Sequence, residues 1–261
     1  MNIYKVLPDL DREKQMRLWH KALRAQWSAR DLAWDKPVGV RSAELRDELA
    51  RILTPVLMGE QAALYSVSNL IPILGHRSEV EGQFYLTTWA VDEARHTELF
   101  ARFYRRIDRE PMAIRRFPAG YLFQSRIVSD EPAEWLTGVL VSECLALLVM
   151  KELKRLDLDP ILSEICDGIL LDESRHLGFN HLYLEDRFRE LTASAPDEAE
   201  RLDEHLGKRL DNVLAGVPPI LDALAPEIER VGIERERLVG ELGQEARSRL
   251  RHSIEAGRRT G

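Results

Sequence analysis

Two glutamates lie in the middle of apolar helical faces, and this pattern constrains the fold more than any other feature of the sequence. The positions one and two helical turns from Glu143 are Leu136, Val139, Leu140, Ala146, Leu147 and Met150. The same offsets from Glu60 hold Leu53, Val56, Leu57, Ala63, Leu64 and Val67. Because residues at these offsets share one face of an α-helix, both carboxylates are predicted to point into a helical core.

A buried carboxylate needs a partner. An isolated ionised acid in an apolar interior costs several kcal/mol, so it must be protonated, paired with a cation or bound to a metal. For either glutamate alone, a buried arginine is the simpler explanation. Two glutamates in parallel contexts favour a shared cation site instead.

A five-residue motif recurs downstream of the two glutamates. Residues 92–96 are DEARH and residues 172–176 are DESRH. In each copy the glutamate and the histidine are three residues apart, so they project from one helical face as a metal-binding pair. The motif glutamates follow the buried glutamates by 33 and 30 residues. Each spacing allows the chain to run along one helix, turn, and return to the same level on an antiparallel partner.

The two halves predict a dinuclear metal site with six ligands. Four clustered carboxylates would repel one another, and two divalent cations would neutralise them. Carboxylates and imidazoles without a thiolate favour iron or manganese over structural zinc. If the two motifs lay on surface helices instead, their glutamates would be exposed, which the apolar faces argue against. The predicted ligands are Glu60, Glu93, His96, Glu143, Glu173 and His176.

The other charged residues of the motif are predicted to support the ligands. A metal-bound histidine usually donates its second ring N–H to a carboxylate, which fixes its tautomer. Asp92 and Asp172 precede the motif glutamates and are placed to reach the histidine of the opposite half. Arg95 and Arg175 are placed either to neutralise those aspartates or to form surface salt bridges.

Helical periodicity dominates the chain and predicts an all-α fold. The first predicted helix has Trp27 on its apolar face, and the segment Ile71–Gly75 is predicted to end the second. Ser78 and Glu81 have the capping-box spacing and predict the start of the third. The predicted helices are 11–29, 42–69, 78–107, 111–128, 132–156 and 159–188, followed from residue 197 by charged helices divided at Pro218–Pro219.

Composition argues against several classes of protein. The chain is 44% hydrophobic with a net charge of −7, and its basic residues are not segregated from acids, which argues against nucleic-acid binding. The two cysteines, Cys144 and Cys166, lie in apolar-periodic segments and fit a reducing compartment. The first ten residues lack the layout of a signal peptide, and a fully uncharged spanning segment is not evident. We therefore expect a cytoplasmic protein without a membrane span.

The order E…DExRH…E…DExRH on four long helices resembles the ferritin-like di-metal carboxylate superfamily. The resemblance is closest to its oxygen-activating branch: the ribonucleotide reductase small subunit, the ligand-binding oxidases and the multicomponent monooxygenase hydroxylases. It covers about residues 51–183, and residues 18–34 are similar to the entry segment of reductase-like and oxidase-like members. It implies a ferritin-like four-helix bundle with additional N- and C-terminal helices. We expect one domain over residues 1–261, with a metal-binding core at about 42–190 and a charged C-terminal extension at about 194–261.

The resemblance implies an oxidase or monooxygenase in which two metal ions activate O2 to oxidise an organic substrate beside the site. Fe/Fe is expected ahead of Mn/Fe. The implied partners are O2 and a small organic substrate, and an electron-donor protein and a homodimer are compatible with the family. The sequence leaves three alternatives open: a ferroxidase or iron-handling protein, a radical-generating subunit for a partner reductase, and a helical binding protein without metals.

Several positions depart from named members of the superfamily. Phe100 stands where a reductase subunit has its radical tyrosine. Ala62 and Gly138 stand where the ligand-binding oxidases form a valine–tyrosine cross-link, and Leu147 replaces the threonine of the multicomponent hydroxylases. Ile169 stands where arylamine N-oxygenases add a histidine. The resemblance therefore selects no subfamily.

A few residues near the predicted ligands have two interpretations. Trp89 and Tyr183 lie on ligand-bearing faces, where packing is favoured over a redox role. Small residues beside the ligands would either make room for a substrate or O2, or allow close helix packing. These small residues are Gly59, Ala62, Ala63, Gly138 and Ala146.

Overall fold

The computed structural model describes residues 7–11 and 13–260, and all regular structure within them is helical. The all-α prediction is confirmed. Single 3-10 turns lie at Ala29–Asp31 and Ile114–Arg116. The α-helices are α1 Glu13–Arg24, α2 Ala43–His76, α3 Val80–Arg106, α4 Pro118–Ile127, α5 Pro132–Leu156, α6 Pro160–Ser194, α7 Pro196–Leu214, α8 Val217–Asp222, α9 Ala225–Val231 and α10 Arg235–Thr260.

Four long helices form the core of the molecule. Residues 77–79 join α2 to α3, and residues 157–159 join α5 to α6, so each pair runs as a tight antiparallel hairpin. The two hairpins meet where α3 contacts α6 and α2 contacts α5. This arrangement brings the middle of all four helices to one level, which is what the predicted ligand spacings require.

The remaining helices pack around this bundle. The first helix, α1, lies against α3 and α6, while α10 lies along α6 and α5. The short helix α9 contacts α2, and α8 contacts α4 and α10. The C-terminal third is thus in contact with the metal-binding core along much of its length. The division into one domain with a C-terminal extension stays a prediction.

The predicted break of α2 at Ile71–Gly75 is wrong, because the helix continues through Pro72 to His76. A proline inside a helix removes one backbone hydrogen bond and costs roughly 3 kcal/mol. The fully buried side chains of Leu70 and Leu74, on either side of Pro72, supply compensating apolar burial. Tertiary packing therefore outweighs the local preference.

The predicted capping box at the start of α3 is also not formed. Ser78 has a φ of 64°, Glu79 is the N-cap residue, and no side chain caps the helix. The left-handed backbone at Ser78 turns the chain between the two helices and takes its hydroxyl away from the helix end. Glu81 instead accepts a hydrogen bond from the backbone N–H of Asp9.

Some of the other predicted helix ends are confirmed, and others are wrong. Helix α5 begins at Pro132, and Asp159 caps α6 by accepting a hydrogen bond from the Ile161 N–H at 2.9 Å, as predicted. By contrast, α1 ends at Arg24, α4 begins at Pro118, and the pair Pro218–Pro219 lies inside α8. Helix α6 also continues to Ser194, beyond its predicted end at about residue 188.

Helix α5 is long and apolar enough to cross a membrane by length and composition alone. However, 61% of its most apolar 18-residue window is buried inside the protein, as in the core helix of a bundle. Cys144 on α5 and Cys166 on α6 are both free thiols and both buried.

The N-cap of α2 gives a direct test of local helix stability. The Ser42 hydroxyl accepts a hydrogen bond from the Leu45 N–H at 3.1 Å. We expect Ser42→Ala to lower the free energy of unfolding by about 1 kcal/mol, and Ser42→Gly to lower it by only a few tenths. Urea denaturation followed by circular dichroism measures both. Equal losses for the two variants would contradict a capping role.

Candidate metal centre

The six predicted ligands converge in the middle of the bundle. They form two overlapping groups, and in each group one ligand-capable atom per residue lies within 4.8 Å of all the others. No member is more than 5% exposed, so the interpretation as surface helices is wrong. The groups are Glu60, Glu93, His96 and Glu173, and Glu93, Glu143, Glu173 and His176. Because both groups contain Glu93 and Glu173, these two carboxylates lie between two potential cation positions.

The two histidines have equivalent orientations. His96 places Nδ1 3.1 Å from Glu60 Oε2 and Nε2 3.1 Å from Asp172 Oδ2. His176 also turns Nδ1 toward the glutamates, and its Nε2 is 3.3 Å from Asp92 Oδ2. Each aspartate thus contacts the histidine of the opposite half, as predicted. With Nε2–H donated to an aspartate, the lone pair of Nδ1 faces the centre, which suits metal binding.

A crossed cluster of two aspartates and two arginines lies behind the histidines. Arg95 donates hydrogen bonds to Asp92 and, at 2.7 Å, to Asp172. Arg175 donates to Asp172 and, at 3.0 Å, to Asp92. All four side chains are buried, so the alternative of surface salt bridges is wrong for both arginines. Burial opposes ionisation of the aspartates, but hydrogen bonds and charge from the histidines and Arg95 outweigh it and lower the pKa of both.

The segment after α1 contributes two contacts that the sequence did not predict. Gln26 donates to Asp92 Oδ1 at 3.0 Å, and the indole N–H of Trp27 donates to Asp172 Oδ2 at 3.0 Å. Gly168 makes room for this indole, since a Cβ there would lie 2.3 Å from the ring. Trp27 is therefore not part of the apolar face of the first helix. Its need for a buried hydrogen-bond acceptor was the signal available in the sequence.

Trp89 contacts two of the six predicted ligands directly, in addition to packing in the core. Its indole N–H donates to Glu93 Oε1 at 2.6 Å, and its ring stacks on His176 with 4.4 Å between centroids. Tyr183 lies farther out, against Phe179 with 6.1 Å between centroids. Trp89 thus orients one of the two shared carboxylates, whereas Tyr183 does not contact the six predicted ligands.

The charges of the centre are strongly perturbed. Burial raises the pKa of Glu93 to about 7. Burial, together with the neighbouring Glu173, raises the pKa of Glu143 above its ordinary value. For His96 and His176, burial favours the neutral ring, but the surrounding carboxylates outweigh it and raise both pKa values. The protein alone is therefore expected to hold several protons in the centre.

Two observations test whether the residues fit cations. Glu93 Oε2 and Glu143 Oε2 are buried atoms without a hydrogen-bond partner. Such orphaned oxygens are rare in folded proteins and are costly unless a ligand satisfies them. The donor set of four carboxylates and two imidazoles also suits iron or manganese. The residues present fit a pair of divalent cations.

The raised pKa values predict that metal binding displaces protons. A group with a pKa near 7 is ionised at pH 8 and mostly protonated at pH 6, so cations must compete with its proton at the lower pH. We expect the apparent affinity for Mn²⁺ to fall about tenfold from pH 8 to pH 6 for each such proton. Calorimetric titration in buffers of different ionisation enthalpy counts the protons. An affinity independent of pH over this range would contradict the prediction.

An apolar cavity of about 110 Å³ opens onto the carboxylates. Glu60, Glu93, Glu143 and Glu173 lie along its wall, and most of the other lining residues are apolar. Gly59, Ala63 and Ala146 also line the cavity. This supports the interpretation that these three small residues make room for a substrate or O2. Gly138 instead permits close packing, since a Cβ there would lie 3.0 Å from the backbone of Ile127.

The fold is that of the ferritin-like di-metal carboxylate superfamily, as the sequence predicted, and the site has the buried carboxylates and histidines expected of that class. Within that class, residues 72–201 match the family model described as P-aminobenzoate N-oxygenase AurF. No protein of curated function matches the sequence.

Solved structures show the same fold. One is an R2-like ligand-binding oxidase with aerobically reconstituted metal cofactor after photoconversion, at a TM-score of 0.76 and 18% identity over 91% of this chain and 92% of the other. Another is an R2-like ligand-binding oxidase with aerobically reconstituted Mn/Fe cofactor, at a TM-score of 0.74 and 19% identity over 91% and 92% of the two chains. A third structure is an R2-like ligand-binding oxidase mutant with aerobically reconstituted Fe/Fe cofactor. It has a TM-score of 0.74 and 19% identity over 91% of this chain and 92% of the other. At these identities the likeness establishes the fold.

The structure also shows the positions that depart from named members. Ile169 is fully buried among apolar side chains, so the position at which arylamine N-oxygenases add a histidine offers no ligand atom here. Phe100 is equally buried. Among the residues that the structure describes, the two groups of ligand candidates together contain six side chains, and Ile169 does not add a seventh.

Proposed function

We propose that the protein is an O2-activating oxidase or oxygenase with a dinuclear metal centre. In this proposal the two metals are held by Glu60, Glu93, His96, Glu143, Glu173 and His176. The observation that carries the proposal is that two overlapping groups of ligands share Glu93 and Glu173 and open onto an apolar cavity. Similarity to an N-oxygenase family and to ligand-binding oxidases supports the same class of reaction.

The metal pair is proposed to be Fe/Fe or Mn/Fe, with Fe/Fe preferred. Structures of similar fold were reconstituted with Mn/Fe and with Fe/Fe cofactors. When bound and reduced, such a pair would supply electrons to O2, and the O2 activated in this way would be the oxidant of an organic substrate. The charge balance is consistent, because two divalent cations neutralise the four glutamates that the bundle buries.

The protein's own residues perform three tasks in this proposal. The four glutamates bind the cations, and burial raises the pKa of Glu93 and of Glu143, so these two can also hold a proton when no cation is bound. Asp92 and Asp172 hold the Nε2 protons of the histidines and so fix their orientation. The bundle excludes water, because all of these side chains are buried.

Metal content and oxygen consumption test the proposal. Protein purified without chelator is expected to contain close to two iron or manganese ions per chain, by elemental analysis. After anaerobic reduction it is expected to consume O2 without accumulating iron beyond two ions per chain. A protein free of metal after loading with Fe²⁺ would overturn the proposal.

The same measurements separate the alternatives. Continued uptake and oxidation of Fe²⁺ by a large assembly would indicate iron storage. A tyrosyl radical signal after exposure to O2 would indicate a radical-generating subunit, which Phe100 makes unfavourable at the position used by the reductases. An organic substrate agrees better with the apolar cavity that reaches the carboxylates. The electron donor, the homodimer and the cytoplasmic location stay predictions.

A further inference from the structure

Two short helices of the C-terminal third, α8 and α9, lie between the cavity and solvent. Buried side chains of these helices and of the turn between them line the same cavity as the four glutamates, and they are Ile220, Leu221, Leu224 and Ile228. The other side of the same segment is exposed at Pro219, Asp222, Ala223, Pro226 and Glu229. The segment 217–231, here called the covering segment, is therefore a cavity wall that is one helix thick.

The covering segment has little stability of its own. Helix α8 has 6 residues and α9 has 7, whereas isolated helices shorter than about 12 residues are marginal in water. Among the described residues, no side chain caps the N-terminus of either helix. Segments of this kind open locally at a lower free energy than the long helices of a core.

The covering segment ends at a joint that can change its backbone conformation. Gly232 has a φ of 78°, in the left-handed region that favours glycine. A Cβ at this position would meet no described atom within 4 Å apart from its chain neighbours, so there is open space around the joint. In the structure the joint is held by Arg155 of α5, which donates to the Gly232 carbonyl at 3.1 Å.

Two ion pairs hold the covering segment against α2. Arg230 on α9 pairs with Glu48 at 2.6 Å. Arg51 pairs with Glu227 on α9 at 2.5 Å. Both arginines are about half exposed, so water competes for them and each pair is weak. Among the described residues, Glu227 Oε2 is buried without a hydrogen-bond partner, and it would gain one from water if the segment moved outward.

We propose that the covering segment is a gate, which turns at Gly232, breaks its ion pairs with α2 and admits small molecules from solvent to the cavity. Burial of its apolar side chains favours the closed position, and the weak ion pairs and the unsatisfied carboxylate oxygen keep opening within reach. Opening does not require metal. The role of the gate in admitting a substrate rests on the proposed oxidase or oxygenase function.

Hydrogen exchange followed by mass spectrometry measures the opening. We expect peptides from residues 217–232 to exchange about tenfold faster than those of α5. Arg230→Gln is expected to accelerate exchange in residues 217–232 about threefold, because it leaves Glu48 without its cation. Equal protection of the covering segment and α5, or an unchanged rate in Arg230→Gln, would overturn the proposal.

Arg247→Gln is the matched control for Arg230→Gln. Arg247 is also a half-exposed arginine of the C-terminal third, and it pairs with Asp211 on α7 at 2.9 Å, away from the covering segment. Its replacement is expected to leave exchange in residues 217–232 unchanged. The same acceleration in both variants would show a general loss of stability and would overturn the proposal.

Thiol labelling tests whether the opening leads into the cavity. Ile52→Cys places a thiol on the cavity wall at a position that is 5% exposed. The small uncharged reagent methyl methanethiosulfonate labels it, and mass spectrometry of peptides gives the rate. Cys144 and Cys166 are internal controls, because both are buried and neither lines this cavity. We expect Arg230→Gln to accelerate labelling of the introduced thiol about threefold and to leave both native thiols unchanged.

The other results of the labelling contradict the gate. An unchanged rate at the introduced thiol would show that the cavity is reached by another route, and equal acceleration of all three thiols would show opening of the whole molecule. The exchange measurement does not need Ile52→Cys and stays decisive if that variant does not fold. Neither experiment uses metal or O2, so a negative result leaves the proposed function to be decided by metal content and oxygen consumption.

Discussion

Replacing Glu173 with alanine is expected to leave the protein without stoichiometric metal. The side chain belongs to both groups of ligand candidates, so the substitution removes a donor from each proposed cation position. It also leaves three glutamates to balance two divalent cations. Elemental analysis after loading with Fe²⁺ under nitrogen measures the result, and circular dichroism establishes that the variant is folded. Glu143→Ala is expected to have the same consequence, although it removes a donor from one group alone.

Glu185→Ala is the matched control for Glu173→Ala. Glu185 is on the same helix, is also a buried glutamate, and pairs with Lys14 and Arg189 rather than with the centre. This variant is expected to keep two metals per chain. Near-normal metal content in both Glu143→Ala and Glu173→Ala would refute the assignment of the ligands.

The second large effect is expected at Asp172, which does not belong to either ligand group. Asp172→Ala removes the acceptor that fixes His96 and leaves Arg95 and Arg175 with one aspartate between them. Losing such a supporting acceptor is expected to weaken metal binding or activity by about 10–100-fold. Competition with a chelator of known affinity measures the change in metal binding.

Asp167→Ala provides the comparison for Asp172→Ala. Asp167 is on the same helix, but its exposed carboxylate pairs with Lys154. Its replacement is expected to leave metal affinity unchanged, because an exposed pair contributes little even to folding. An Asp172→Ala protein with the affinity of the unaltered protein would show that the aspartate does not orient the histidine.

The metal centre could be predicted from the sequence because its evidence is local. Helical periodicity shows which face a residue shares, so Glu60 and Glu143 stand out against their apolar neighbours. The spacing within DExRH fixes the relation of glutamate to histidine, and repetition excludes chance. The crossed contacts of Asp92 and Asp172 follow once the two hairpins are placed face to face. Information of this kind lies within two or three helical turns.

Contacts between distant segments could not be predicted in the same way. The hydrogen bonds of Gln26 and Trp27 depend on where the chain goes after α1, and on a glycine 141 positions later in α6 that admits the indole. The continuation of α2 through Pro72 depends on packing that compensates a local penalty. The role of segment 217–231 as a cavity wall depends on its position against α2, to which ion pairs hold it. Such features require the tertiary structure.

The indole stacked on His176 gives the two nearly identical halves of the sequence different chemical characters. Within the part of the chain that the structure describes, no indole stacks on His96, whose aspartate instead accepts a hydrogen bond from Trp27. A polarisable ring next to one imidazole and an indole N–H behind the other make the two halves electronically inequivalent. The two proposed cation positions therefore differ in their surroundings, although the sequence motifs beside them are nearly identical.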